Sequence, residues 1–503
     1  MNIARHLPAQ AARMPDALAV VAGASRLSFR ELDALSDAYA AGLRAHGIGP
    51  GERTLLMVKA GIDLIAVTYA LFKAGAVPVL IDPGMGRKAF LKCVEDLAPT
   101  SFVGIPLAHA FRVLMPSSFG SVKRHVTVGT RLFWGGPTLK GLATSGGPQL
   151  ADVTPDTEAA VLFTSGSTGP AKGVVYTHGM FDAQVVALRE AYGFRPGEVD
   201  CAAFPLFSLF DNALGMTSVI PELDPSRPGS CDPAKVVAAL RDEKCTTAFG
   251  SPAIWKRVAP WCIEQGVKLP LVERVIIAGA SVPPSLVQEL RAVIGGDVHT
   301  PYGATEALPV ATISGGEILG ETAARTLAGA GTCVGRPVVE LCVVPITDEP
   351  IDTVEPLPDG EVGEIVVRGP QVTQLYANKP EATRLAKVPG GWHRMGDVGY
   401  RDASGRVWFC GRKAERVRTA GDTLFTDKVE GIANGKGRRT ALVAAKGKAV
   451  LIVEGDEDDK LAEDLRATLP VEAVLFHPRF PVDVRHNAKI HRLQLGKWAE
   501  GRL

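Results

Sequence analysis

Short apolar runs recur along the chain at Val77 to Ile81, Ala159 to Phe163 and Val275 to Ile277, each bounded by Gly or Pro and separated by helix-length segments. A strand that pairs with parallel neighbours reads this way, because helices cover both of its faces. The rhythm predicts an α/β architecture of layered parallel sheet and helices. Near Gly363 the pattern changes to the alternation Glu364-Ile365-Val366-Val367-Arg368, followed by a turn at Asp402-Ala403-Ser404-Gly405 and the strand Val407-Trp408-Phe409. These features predict a smaller β-rich subdomain. After Gly411-Arg412-Lys413 the segments become short and polar, with strands at Ala441 to Ala445 and Val450 to Val453 and a helix near Leu461 to Leu469. Residues 1–411 therefore read as a large N-terminal domain, and 412–503 as a small mobile α+β cap.

At 503 residues the chain is too long for one core, and its 46% hydrophobic and 22% charged residues are those of a folded protein. Lys and Arg number 55 against 54 Asp and Glu, so no net field recruits nucleic acid or an anionic surface. The first 21 residues carry charges and two prolines, Pro8 and Pro15, where an export signal needs an unbroken apolar stretch. Eight scattered cysteines form no CxxC pair, which speaks against a zinc site and for reduced thiols in the cytoplasm. The longest apolar stretch, Leu64 to Ile81, contains Lys73, Gly75 and Pro78, so it reads as a buried helix and a strand rather than a membrane span. Ser28 and Glu31 form a capping box ahead of Leu32, Leu35, Tyr39 and Leu43, and Gly135 to Gly147 reads as a loop.

The segment Thr164-Ser165-Gly166-Ser167-Thr168-Gly169-Pro170-Ala171-Lys172-Gly173 directly follows an apolar strand. Glycines and small hydroxyl side chains let backbone N–H groups and hydroxyls surround a polyphosphate, and Lys172 adds a cation. The spacing is not that of a Walker A loop.

This segment resembles the signature loop of the adenylate-forming superfamily, which contains acyl-CoA synthetases, luciferases and peptide-synthetase adenylation domains. Further matches follow in the family's order. Tyr302-Gly303-Ala304-Thr305-Glu306 resembles its aromatic-G-x-T-E motif, and Gly363-Glu364-Ile365-Val366-Val367-Arg368-Gly369-Pro370 resembles its GEI-x-VRGP strand. Trp392-His393-Arg394-Met395-Gly396-Asp397 stands where the family has W-x-x-T-G-D, Gly411-Arg412-Lys413 matches G-R-K, and Lys489 aligns with the near-terminal lysine.

The resemblance implies that a carboxylate attacks the α-phosphate of ATP, giving an acyl-adenylate and pyrophosphate. On this basis Thr164, Ser165, Gly166, Ser167, Thr168, Gly169 and Lys172 would hold the β- and γ-phosphates, and Thr305 the α-phosphate. Glu306 would hold Mg²⁺, Asp397 and Arg412 the ribose. Gly279-Ala280-Ser281 and Tyr302, with Gly303 and Ala304, would flank the adenine, and Lys489 would bridge the attacking carboxylate and the α-phosphate. The segment Phe204 to Asp211, with Phe207, Ser208, Phe210 and Asp211 expected to bind the acyl group, and the segment Pro221 to Pro228 are similar to a branch of the family, the β-lactone synthetases of bacterial long-chain olefin biosynthesis.

That likeness implies a long-chain 2-alkyl-3-hydroxy acid as substrate, closure of a β-lactone by its own hydroxyl, and an assembly with other olefin-biosynthesis enzymes. Ser208 stands where many acyl-CoA ligases have His, Ala414 replaces an acidic or lysine hinge residue, and Ala488 replaces a glycine. Ser208 lies in the loop that would shape the acyl pocket, and Ala414 and Ala488 lie on elements that in the family rotate to admit coenzyme A. The alternatives are a fatty acyl-CoA or acyl-carrier-protein ligase and a non-catalytic acyl-nucleotide-binding protein.

Overall fold

A computed structural model of the chain describes residues 1–503 apart from 145, 165–169 and 483–489. Among the described residues the largest sheet has 14 strands. Six strands are parallel and run Leu18–Ala22, Thr217–Ile220, Val199–Ala202, Thr247–Gly250, Arg274–Ile277 and Asp297–Ala304. Six more are antiparallel and run Ala307–Ser314, Thr332–Pro337, Val407–Arg412, Trp392–Arg401, Gly363–Arg368 and Glu340–Val344, and the short strands Ser25–Ser28 and Lys387–Val388 pair antiparallel with Leu18–Ala22 and Trp392–Arg401. The alternating strands beyond Gly363 therefore extend the parallel sheet, although they keep a core of their own around Ile365, Val367 and Val407.

A second sheet of six strands, ordered Arg124–Thr127, Ser101–Gly104, Arg53–Met57, Val77–Leu80, Glu158–Phe163 and Gly173–Thr177, lies across a shared helical layer. The largest core cluster joins Val20, Phe249 and Ile276 of the first sheet to Val103, Ala159 and Val174 of the second through the helices Phe29–Ala45, Ile62–Ala74 and His178–Tyr192. The stretch expected to form a buried helix and a strand does so, with Gly75 in the left-handed conformation between them. Lys73 lies in this layer 1% exposed, and it is held by Asp33 at 2.6 Å and Asp37 at 2.7 Å. A buried ammonium needs such partners, because desolvation alone would make it prohibitive. The Gly135 to Gly147 stretch, expected to be a loop, contains one helical turn, Leu139–Leu142. Thr138 caps the Gly141 N–H at 3.0 Å, and Leu139 is buried.

The C-terminal strands Thr440–Ala445, Lys448–Glu454 and Ala473–His477 form a separate sheet, packed by the helices Thr426–Asn434, Asp459–Thr468 and Arg492–Glu500. This unit meets the large sheet closely. Thr332 donates to Asp427 at 3.2 Å, and a side chain at Gly411 would collide with Thr426. Among the described residues no helix is long and apolar enough to cross a membrane.

Inside the large sheet, Asp200 faces Asp211 of the helix Ser208–Leu214, both fully buried. Thr247 donates to Asp200 at 2.6 Å, and the oxygens left over suit one proton shared between the acids. Burial pushes both carboxyls up, Asp200 to about 7. A folded-state value above the unfolded one gives stability that is present in acid and lost as pH rises through about 7. Asp200→Asn cannot ionise, so its melting temperature minus that of the wild type should become more positive from about pH 5 to about pH 8. A difference that stays constant across that range in thermal unfolding would remove the pair as the titrating unit.

Candidate active site

Strand Asp297–Ala304 ends in a tight reversal into Ala307–Ser314, so Thr305 and Glu306 occupy the turn of a hairpin. The turn is held from outside itself. The Glu306 carbonyl accepts from the Thr373 N–H at 2.9 Å and its hydroxyl at 3.1 Å, while Tyr176 donates to the Thr305 carbonyl. Gly303 is needed by close approach, since a Cβ there would lie 2.6 Å from the Ala307 carbonyl oxygen.

Tyr302 donates to Asp397 Oδ2 at 2.5 Å, and Arg412 lies 2.8 Å from Oδ1 across the Asp397–Arg412 strand pair. The Arg412 contact is ionic without hydrogen-bond alignment, so Oδ1, deeply buried, has no hydrogen-bond donor among the described residues. Burial raises the Asp397 carboxyl and Arg412 opposes it. A buried acceptor left open beside a cation suits a vicinal diol that donates to it.

Tyr376 donates to Glu306 Oε1 at 2.6 Å, and two ammonium groups lie by its ring, Lys172 at 4.8 Å and Lys387 at 5.5 Å from the centroid. Lys387 Nζ also donates to the Thr373 carbonyl at 2.5 Å, and burial pushes this ammonium down to about 7. Sequence reading missed Tyr176, Tyr376 and Lys387, because none stands in a chemically suggestive pattern.

Thr164 and Lys172 close the ends of the signature loop. The Thr164 N–H donates to the Lys172 carbonyl at 3.1 Å, and the Lys172 N–H to Thr164 Oγ1 at 3.2 Å. Ser165, Gly166, Ser167, Thr168 and Gly169 lie outside the described residues, as do Ala488 and Lys489. The residues that follow Lys489, Ile490 to Arg492, line the cavity described next.

A cavity of about 2760 Å³ brings together Thr164, Lys172, Gly279, Ala280, Ser281, Tyr302, Gly303, Ala304, Thr305, Glu306, Asp397 and Arg412. It continues without interruption into an apolar region walled by Leu64, Phe72, Phe181, Leu188, Phe207 and Phe210. Ser208 and Asp211, expected at the acyl group, do not reach it. The turn Pro205–Phe207 runs into the helix Ser208–Leu214, so Phe207 and Phe210, three residues apart, share the cavity face. Ser208 and Asp211 take the opposite face and are buried, Ser208 accepting from Ser218 at 2.6 Å.

Glu306 fits a magnesium ion. Its Oε2 receives no hydrogen bond among the described residues, and the ion commonly takes one or two carboxylates, phosphate oxygens and water. Among the described residues no group of three or more His, Cys, Asp or Glu side chains could cage a metal.

Three comparisons place the chain. Residues 7–377 match the family model described as AMP-binding enzyme. The chain is 46% identical to an olefin beta-lactone synthetase of Stenotrophomonas maltophilia, the match covering 100% of this chain and 98% of the relative. It is also 46% identical to an olefin beta-lactone synthetase of Xanthomonas campestris, over 99% and 97%. The fold superposes on an amide bond synthetase of Marinactinospora thermotolerans with a TM-score of 0.83 at 23% identity, covering 99% of both chains.

Tyr376→Phe keeps the ring under both ammonium groups and removes the hydroxyl from Glu306. The Mg²⁺ concentration for half-maximal pyrophosphate release should rise about tenfold, the scale of one hydrogen bond to a charged group, with melting temperature little changed. An unchanged metal requirement would show that Glu306 does not bind the ion.

Proposed function

The chain belongs to the AMP-binding enzyme family, the adenylate-forming ligases, and from that premise we propose that it converts a long-chain 2-alkyl-3-hydroxy carboxylic acid into a β-lactone at the expense of ATP. The observation that carries the reading is the single cavity that joins the Thr305–Glu306 turn and Asp397 to a long apolar interior. Such a cavity suits a substrate with a reactive carboxylate at one end and alkyl chains behind it. The relatives named olefin beta-lactone synthetase support the same choice over their whole length.

In the first step the acid's carboxylate attacks the α-phosphorus of ATP and pyrophosphate leaves. Two anions must approach, so the site has to neutralise charge that gathers in the transition state. Lys489 would bridge the carboxylate and the α-phosphate, Thr305 would donate to the latter, and the Thr164 to Lys172 segment would hold the outer phosphates. Asp397, with its open Oδ1, would accept from the ribose hydroxyls beside Arg412. Gly279 to Ser281 and Tyr302 would flank the base. Glu306 would hold Mg²⁺, which when bound supplies a Lewis acid to the phosphate oxygens.

In the second step the substrate's 3-hydroxyl attacks the activated carbonyl, loses its proton and expels AMP. The nucleophile is intramolecular, and aligned groups of this kind reach effective molarities of about 10⁵ M or more, which offsets ring strain. Phe207 and Phe210 would shape the chain end of the cavity. Residues 412–503 would act as a cap that brings Lys489 to the reacting atoms. The enzyme would work in the cytoplasm, in an assembly with those that supply the acid and consume the lactone.

Incubation of the enzyme with Mg²⁺, ATP and a long-chain 3-hydroxy acid, followed by mass spectrometry, should yield AMP, pyrophosphate and a product one water lighter than the acid. Coenzyme A should neither be consumed nor raise turnover, and the 3-deoxy acid should stall as bound adenylate. An acyl-CoA thioester that forms faster than the dehydrated product would assign the protein to the acyl-CoA ligases. Lys489→Ala should lower pyrophosphate release by about two orders of magnitude or more, and a near wild-type rate would remove Lys489 from the first step.

A further inference from the structure

The helix Pro106–Leu114 turns apolar side chains to solvent as well as to the core. Its inward residues include His109, fully buried against the Val126 carbonyl at 3.1 Å, and Arg112, whose guanidinium packs 6.0 Å from the Phe102 ring centre. Phe111 packs on the core rings of Phe90 and Phe119, whereas Leu107, Val113 and Leu114 turn outward. Leu107 is 75% exposed and Leu114 71% exposed. The loop beside the helix continues the surface. Trp134 stacks on His109 at 5.1 Å, and its neighbour Phe133, 78% exposed, points a further aromatic ring to solvent. Leu107 and Phe111 also line the large cavity, so this apolar surface borders the mouth through which a hydrocarbon chain would pass.

The stretch of chain that carries this surface is one-sided in charge, although Arg124 pairs with Glu52 from outside it. Across the chain Lys and Arg exceed Asp and Glu by one, yet no acidic residue occurs between Asp96 and Asp152, where Arg112, Lys123, Arg124, Arg131 and Lys140 stand. Lys123, Arg131 and Lys140 are exposed. The overall balance conceals this local excess, which is why composition alone argued against an anionic surface.

We propose that the Pro106–Leu114 helix and the Phe133 loop dock this protein on an anionic lipid surface, with the cavity mouth turned toward the bilayer. Exposed apolar side chains on a stretch that also exposes Lys123, Arg131 and Lys140 are the complement of acyl chains beneath acidic headgroups. The proposal rests on the reading of a long-chain substrate only for the cargo. Such an acid partitions into lipid through every added methylene, and a mouth seated in the interface receives it without passage through water. The docking itself is testable with neither ATP nor acid.

The full-length protein is sedimented with vesicles of phosphatidylcholine alone or of equal parts phosphatidylcholine and phosphatidylglycerol. Binding to the mixed vesicles should be about tenfold tighter or more, since each basic residue near an acidic surface contributes roughly fivefold. Leu114→Ser with Phe133→Ser should weaken mixed-vesicle binding about tenfold, with melting temperature and adenylation of a short soluble acid unchanged. Arg131→Glu with Lys140→Glu should remove most of the preference for phosphatidylglycerol. The proposal is overturned if the wild type stays in the supernatant with both vesicles, or if the Leu114/Phe133 double variant binds as the wild type does. Self-association that the same double variant abolishes, without vesicle binding, would assign the surface to a second copy of the chain. Failure of lactone formation in the product assay would leave these outcomes unaffected.

Discussion

The strand Asp297–Ala304 takes a parallel partner on one edge and an antiparallel partner on the other, and that double pairing decides where chemistry can occur. Parallel neighbours need long crossovers, whereas an antiparallel neighbour can follow through a turn of two residues. Thr305 and Glu306 are those two residues. They are presented at the strand end with their backbone tethered by Thr373 and Tyr176 rather than left to a flexible loop. Asp397 and Arg412 come from antiparallel strands of the same sheet, and Tyr302 ties Asp397 back to the switching strand. Groups separated by about a hundred positions in the chain are thus related by sheet register, which is far more rigid than loop contact.

Much of this was legible because it was local. The capping box at Ser28 and Glu31 forms as its spacing requires, and the apolar runs became strands because their length and punctuation admit little else. The joining of both sheet halves was not legible, since alternation reports one buried face but not the identity of the neighbouring strand. The resemblance placed Ser208 and Asp211 at the substrate together with Phe207 and Phe210, but helical geometry turns adjacent residues to different faces. Lys387 reads in sequence as a solvated charge. Only the fold shows it half-buried near the Tyr376 ring, with its ammonium pushed down to about 7.

The Thr305–Glu306 turn also balances charge. Lys172 and Lys387 bring two cationic groups to one tyrosine ring whose hydroxyl already serves Glu306. Phosphate oxygens entering beside Lys172 would meet a positive field, with the tyrosine acting as a polarisable spacer between cation and carboxylate.

Three of the recognisable motifs meet in one ionic cluster on the wall of the same cavity. Glu364 of the GEI strand receives Arg394 at 2.6 Å and Lys413 at 3.0 Å, with Glu364 and Arg394 almost wholly withdrawn from solvent. Removing one member of such a cluster strands an uncompensated charge, a loss of roughly 3–5 kcal/mol, whereas replacing the set by apolar groups of equal volume can be neutral. The three positions are therefore epistatic. A lineage can change them together or keep them together, but single steps between those states pass through a damaged protein. Persistence of such residues across a family would then record a barrier to drift as much as a duty in the reaction.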